Sequence, residues 1–137
     1  MIEGYVDRFS PGSEASIEQA LIMMRNASVL VRRIDQYFAA NGLSQLRFLV
    51  MIVIDREIDR NWLTQVEIAE KLDVSKPVMT RTVQTLLKAG FLKVEADERD
   101  RRSKRLSLTA DGEAVLVDLL PGYFATIAEF MESRNTH

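Results

Sequence analysis

The chain of 137 residues has no cysteine, and its one histidine is the terminal His137. Without cysteine there can be no disulfide framework, thiolate metal site or thiol-based redox sensing. A single terminal histidine leaves too few nitrogen ligands for an ordinary zinc site, so neither metal nor cofactor is expected. There is no phosphate-binding glycine loop and no paired nucleophile and base. No catalytic residue is therefore assigned, and the chain is not expected to be an enzyme. Long hydrophobic runs are also scarce. The most apolar stretch, Phe48 to Ile54, is bounded by Arg47 and Asp55 and falls far short of the roughly 20 residues that cross a bilayer. The N-terminus lacks the basic start and apolar core of a secretory signal. With only three prolines and six glycines, disordered and fibrous classes are disfavoured. The expectation is one cytoplasmic domain over 1–137 with no membrane partner, long enough to bury a core of ordinary size.

What is present is 47% hydrophobic and 28% charged residues, a globular balance with net charge −2. The charge is unevenly placed. From Asp73 to Arg105 nine Lys/Arg face five Asp/Glu, while the rest of the chain carries nine against fifteen. A local basic segment in an acidic protein suits a nucleic-acid footprint, although a solvated charged loop has the same composition.

Helical periodicity organises most of the chain. Ser16 and Gln19 have the spacing of a capping box opening a long helix, which Asn41-Gly42 would stop. Ser44 can cap a second helix to about Glu57, apolar on nearly all sides and so expected at the buried centre. Ile58 to Leu63, with Trp62, is a connector. Thr64 and Glu67 form a second capping box, opening a helix with Ile68, Ala69 and Leu72 inward. After Asp73-Val74, Ser75 is placed to cap a third helix, with Pro77 in its first turn and Gly90 as its stop. Phe91 to Glu95 and Lys104 to Thr109 alternate as paired antiparallel strands around a loop. Thr109 can cap a last helix from Ala110 to about Ser133, with a kink or break expected at Pro121-Gly122.

The outward face of the third helix is informative. From Lys76 to Lys88 it holds no acidic residue. Lys76, Thr80, Arg81, Gln84, Thr85 and Lys88 lie on that face, and serine, threonine, glutamine and arginine side chains are those that read base edges and phosphates in a major groove. Periodicity alone supports a plain amphipathic helix equally well. The loop between the strands is basic, five of the seven residues from Arg99 to Arg105 being Lys or Arg. Such a finger suits a minor groove and its phosphates through Arg99, Arg101, Arg102 and Lys104. Asp97, Arg99 and Asp100 can alternatively hold the hairpin's shape.

The order of helix, helix and basic hairpin, with Leu86-Leu87-Lys88-Ala89-Gly90-Phe91-Leu92, the D-x-R-D-x-R pattern at Asp97, Arg99, Asp100 and Arg102, and L-T-x-x-G at Leu108, Thr109 and Gly112, resembles the MarR family of transcriptional regulators. The resemblance implies a mostly α fold with a small β-hairpin wing. A winged helix-turn-helix DNA-binding lobe would occupy 43–109, and dimerisation helices 14–41 and 110–134. It implies a homodimer on double-stranded DNA, acting as a repressor on a palindromic operator. The two recognition helices would then lie about one DNA turn apart, roughly 34–36 Å. In that pattern Ser75, Lys76, Pro77, Thr80, Arg81 and Gln84 occupy the recognition helix, Arg102 approaches the minor groove, Asp100 orients that arginine by a charge-assisted bond, and Asp97 and Asp100 orient the wing. Release by a small aromatic or anionic effector is a further expectation, with Arg25, Arg32, Arg33, Tyr37, Arg47 and Trp62 as candidate lining residues. The alternative is a winged-helix protein-interaction module without specific DNA binding.

Overall fold

The computed structural model describes residues 4, 8, 12–100 and 102–135. Arg101 and His137 therefore lie outside the described residues. Among the described residues from Gly12 on, five helices and three short strands follow in the order α1 (Glu14–Ala40), α2 (Gln45–Asp55), β1 (Leu63–Thr64), α3 (Gln65–Leu72), α4 (Lys76–Ala89), β2 (Leu92–Ala96), β3 (Lys104–Leu108) and α5 (Ala110–Asn135). The strands form one antiparallel sheet in the order β1-β3-β2, with Leu63 opposite Leu106 and Val94 opposite Leu106 on its other side. The hairpin of β2 and β3 matches the expectation. The pairing of β1 with β3 does not, because two residues are too few to show a period.

The apolar α2 lies at the centre. Phe48, Val50, Met51 and Ile54 are buried on it, and the core gathers Phe38 from α1, Ile68 from α3, Met79, Val83 and Leu86 from α4, and Leu106 from β3. Ser44 caps α2 by accepting from the Arg47 amide at 3.2 Å. Thr64 and Glu67 form the full reciprocal capping box of α3. Gly42 and Gly90 end α1 and α4 at φ +70° and +81°, where a side chain would be strained.

Two helix-end expectations fail. α1 starts at Glu14, behind Ser13, so Ser16 sits inside the first turn and is not its cap. Ser75 occupies the N-cap position of α4, but its side chain makes no cap hydrogen bond, which leaves the hydroxyl outward. Of the kink or break expected at Pro121-Gly122, the break does not occur, since α5 runs on through both residues. At that turn the Tyr37 hydroxyl donates to the Leu119 carbonyl at 2.6 Å, and a methyl on Gly122 would overlap the Tyr37 ring. The missing Cβ thus lets α1 lie against the proline turn.

The joint between strand and last helix explains the L-T-x-x-G spacing. The Thr109 amide donates to the Phe91 carbonyl at 3.1 Å, and its hydroxyl donates to the Gly90 carbonyl at 2.6 Å while accepting from the Gly112 amide at 3.0 Å. One threonine therefore ties the end of α4 to the start of α5. Gly112 is buried with the Phe91 backbone against it, so a Cβ there would overlap the Phe91 carbonyl oxygen.

In an open helix interior Gly→Ala stabilises by about 1 kcal/mol. Here Gly112→Ala is expected to destabilise by about 1–3 kcal/mol, the range for overpacking. Urea unfolding reads the sign directly, and a higher midpoint for the variant would contradict this packing.

Candidate nucleic-acid interface

α3 and α4 form the helix pair, and the turn between them is set by Asp73 at φ 53°, with the Val74 amide bonded back to the Ala69 carbonyl at 3.0 Å. Met79, Thr82, Val83 and Leu86 bury one side of α4. That burial turns Ser75, Lys76, Pro77, Thr80, Arg81, Gln84, Thr85 and Lys88 out to solvent, and all eight are exposed. Among the described residues no carboxylate pairs with Lys76, Arg81, Lys88, Arg99, Arg102 or Lys104. Asp97 interacts with the Arg99 charge without an ion pair, and all six cations are exposed.

The wing carries its own scaffold. The Asp97 carboxylate accepts from the Arg99 amide at 3.0 Å and from the Arg105 guanidinium at 3.2 Å, and its amide donates to the Ser103 carbonyl at 3.1 Å. Asp100 accepts from the Arg102 amide at 2.9 Å and the Ser103 hydroxyl at 3.5 Å. The expectation that Asp100 orients the Arg102 side chain is therefore corrected. Asp100 fixes the backbone of the loop and leaves the guanidinium free. Arg99 likewise holds shape through its amide, while its side chain stays exposed.

Arg105 is the wing residue whose role the strand pattern did not reveal. Its guanidinium lies 4.1 Å from the Trp62 ring centroid, and Arg60 covers the ring at 4.2 Å. Arg60 in turn pairs with Glu67 and, at 3.7 Å, with Glu57. A continuous ladder of Asp97, Arg105, Trp62, Arg60 and Glu67 thus joins the wing to the capping box that starts α3. Each stacked cation contributes about 0.5–2 kcal/mol, more where water is excluded. Trp62 thus serves as a clamp between the two arginines. Tyr37 is held on Leu119, Arg47 on Ser44 and Arg33 over the Phe130 ring at 5.4 Å. Arg25 and Arg32 are simply exposed.

Between α4 and the wing runs a groove of about 190 Å³, lined by Gln65, Thr80, Gln84 and Lys104 among others. It brings the recognition-face residues and one wing cation into a single surface. Gln65 was not among the residues the sequence pointed to, because its position is set by how α3 crosses α4 and not by any local pattern.

The carboxylates of the ladder have shifted acidities. The Arg99 amide, opposed by desolvation and assisted by Arg105, holds Asp97 below its ordinary 3.8. Partial burial raises Glu67, but the hydrogen bonds from Arg60 and from the Thr64 amide and hydroxyl outweigh it and leave the group below 4.5. A carboxylate depressed in the folded state stabilises fully above its unfolded value and loses that contribution as pH falls through the folded value. The stability gap between wild type and Asp97→Asn should accordingly be constant well above the ordinary 3.8 and shrink as pH falls through that value and below it. Thermal melts followed by the fluorescence of Trp62, the one tryptophan, measure it, and a gap independent of pH down to about pH 3 would contradict the assignment.

Comparison with known proteins agrees with this geometry. The family model described as "MarR family" matches residues 41–103. The HTH-type transcriptional repressor YetL of Bacillus subtilis is 28% identical over 133 residues, 96% of this chain and 78% of that protein. The regulator PapX of Escherichia coli is 32% identical over 57% of this chain, which spans only 47% of that protein's length. Among solved structures, the MarR family regulator Sco3205 of Streptomyces coelicolor, in complex with DNA, superposes with a TM-score of 0.79 at 20% identity, covering 89% of this chain and 75% of that one. The transcriptional regulator MosR of M. tuberculosis, also in complex with DNA, gives 0.69 at 28% identity over 83% of this chain and 80% of that one. The helix pair, the wing, the L-T-x-x-G joint and these likenesses agree in making the chain similar to the winged-helix regulators of the MarR family.

Proposed function

We infer that this protein is a sequence-specific DNA-binding transcriptional regulator that acts as a homodimer on a palindromic operator, most simply as a repressor in the cytoplasm. The observation that carries this reading is the shared surface of α4 and the wing, where exposed cations have no carboxylate partner and a groove connects Gln84 to Lys104. Folded proteins usually intersperse both signs on a solubilising face; a one-sign surface beside hydrogen-bonding side chains fits a polyanion. Ser75, Lys76, Pro77, Thr80, Arg81, Gln84 and Thr85 take the major groove in this reading. Arg99, Arg101, Arg102 and Lys104 take the backbone and minor groove, with Asp97 and Asp100 fixing the wing. Sco3205 and MosR, which share the fold, were each solved with DNA.

The second copy is proposed to cover α1 and α5. Ile22, Met23 and Met24 on α1 and Val117, Phe124 and Met131 on α5 are exposed, and a largely apolar groove of about 530 Å³ runs between Met23 and Met131. By length and composition α5 could also cross a membrane. Its packing against α1, α2 and β3 supports a helix seated in the domain with one face left for a partner.

Selection from a random DNA pool at physiological salt should recover an inverted repeat with half-sites one turn apart, roughly 34–36 Å. No enrichment would instead favour a protein-interaction module. Arg102→Ala should weaken operator binding in fluorescence anisotropy and flatten the salt dependence by about one unit of slope. Circular dichroism and sedimentation of that variant should match wild type, and unchanged affinity would remove Arg102 from the interface.

A further inference from the structure

α4 carries three threonines, and the structure treats one of them differently. The Thr82 hydroxyl donates to the Val78 carbonyl at 2.8 Å, and the Thr85 hydroxyl to the Arg81 carbonyl at 2.9 Å. Both have turned back onto their own helix and spent their single proton there. Thr80 has not. Its oxygen accepts a hydrogen bond of 2.8 Å from Nε2 of Gln65, the first residue of α3, fifteen positions earlier in the chain. A hydroxyl has one proton and two lone pairs. With a lone pair occupied by the Gln65 amide and no carbonyl holding the proton, Thr80 is presented to the outside as a donor.

Position supports the chemistry. Gln65 and Thr80 both line the groove between α4 and the wing and the groove between α3 and α4, so the pair stands on the ridge between them. Thr80 is exposed, and Gln84 lies one turn further along the same face. Gln65 itself is steadied by the capping box that starts immediately before it, since Thr64 and Glu67 fix the first turn of α3. Its amide therefore reaches α4 from a rigid base.

We propose that Gln65 is a specificity-positioning residue: by donating to Thr80 it polarises that hydroxyl so that the protein reads a hydrogen-bond acceptor in the major groove at one base pair of each half-site. The acceptors available there are the purine N7, the guanine O6 and the thymine O4, whereas adenine N6 and cytosine N4 present donors. Thr85, by contrast, offers a methyl group and lone pairs, its proton being occupied. The proposal rests on the reading of this protein as a DNA-binding regulator.

The test is selection from a random DNA pool, followed by anisotropy titrations on single-base variants of the recovered site, for wild type, Gln65→Ala, Gln65→Glu and Thr80→Val. Failure of wild type to enrich any sequence would sink the DNA-binding reading itself, and this inference with it. If wild type does select a site, Gln65→Ala and Thr80→Val should each lose about fivefold or more of discrimination at the same base pair, near the lower end of what a good base contact supplies. Their affinity for unrelated DNA and their salt slope should stay at the wild-type value, which a general loosening of the helix pair would not allow. The double variant should lose no more than either single one. Gln65→Glu is the reversing variant. A carboxylate can only accept, so it would draw the Thr80 proton inward and face the lone pairs outward, and the preference at that base pair should move toward adenine N6 or cytosine N4. An acidic residue in the first turn of α3 suits the helix dipole, so this variant should fold. Identical base preferences in wild type and Gln65→Ala, or an unaltered preference in Gln65→Glu, would overturn the assignment.

Discussion

The indole of Trp62, held between the guanidinium groups of Arg60 and Arg105, is the contact on which the position of the wing depends. At its base the hairpin also rests on the core through Leu92 and Leu106. Of β2 only Leu92 is buried in the strand, and Val94 is left exposed. The wing is therefore placed by β3, through its register with β1 and through Arg105, whose charge is balanced by Asp97 at the turn. Two cations close to one ring would repel each other if unpaired. Asp97 neutralises one and Glu67 with Glu57 the other, so the stack holds because each guanidinium brings its own carboxylate. The same Glu67 closes the capping box of α3, and the wing and the first helix of the pair are thereby referenced to one another.

A second joint sets the other end of the unit. Thr109 bonds to Gly90 and Phe91 where α4 ends, and to Gly112 where α5 begins. α5 is the helix that carries Val117, Phe124 and Met131 on its open side. Three hydrogen bonds and a backbone contact that tolerates no methyl group therefore join the start of that helix to the C-terminal end of α4.

Much of this was legible in the chain itself. The capping box at Thr64 and Glu67, the left-handed stops at Gly42 and Gly90, the hairpin and the buried character of α2 all rest on interactions within a few residues, which local patterns encode. The outward face of α4 was legible for the same reason, since a 3.6-residue period separates Met79, Val83 and Leu86 from Thr80, Arg81 and Gln84. What misled was also local. Ser16 and Gln19 have capping-box spacing but lie inside a helix that starts earlier, and Pro121 was expected to break a helix that Tyr37 and Gly122 hold together from across the domain.

The sequence by itself determined the order of the helices, the ends that Thr64, Gly42 and Gly90 set, which side of each helix is apolar, and that a run of cations with hydrogen-bonding neighbours falls on one helix and one loop. These follow from backbone propensity, capping and burial, each decided over one or two turns. Only the tertiary structure decided that Trp62 is a clamp, that Arg105 is spent within the wing while Arg102 is free, that Gly112 and Gly122 are required by close approach, and that Gln65 meets Thr80. Those contacts join residues brought together by the crossing of helices and the register of strands. The chemical character of each partner is visible in the chain, but its direction and distance are set by how the core packs.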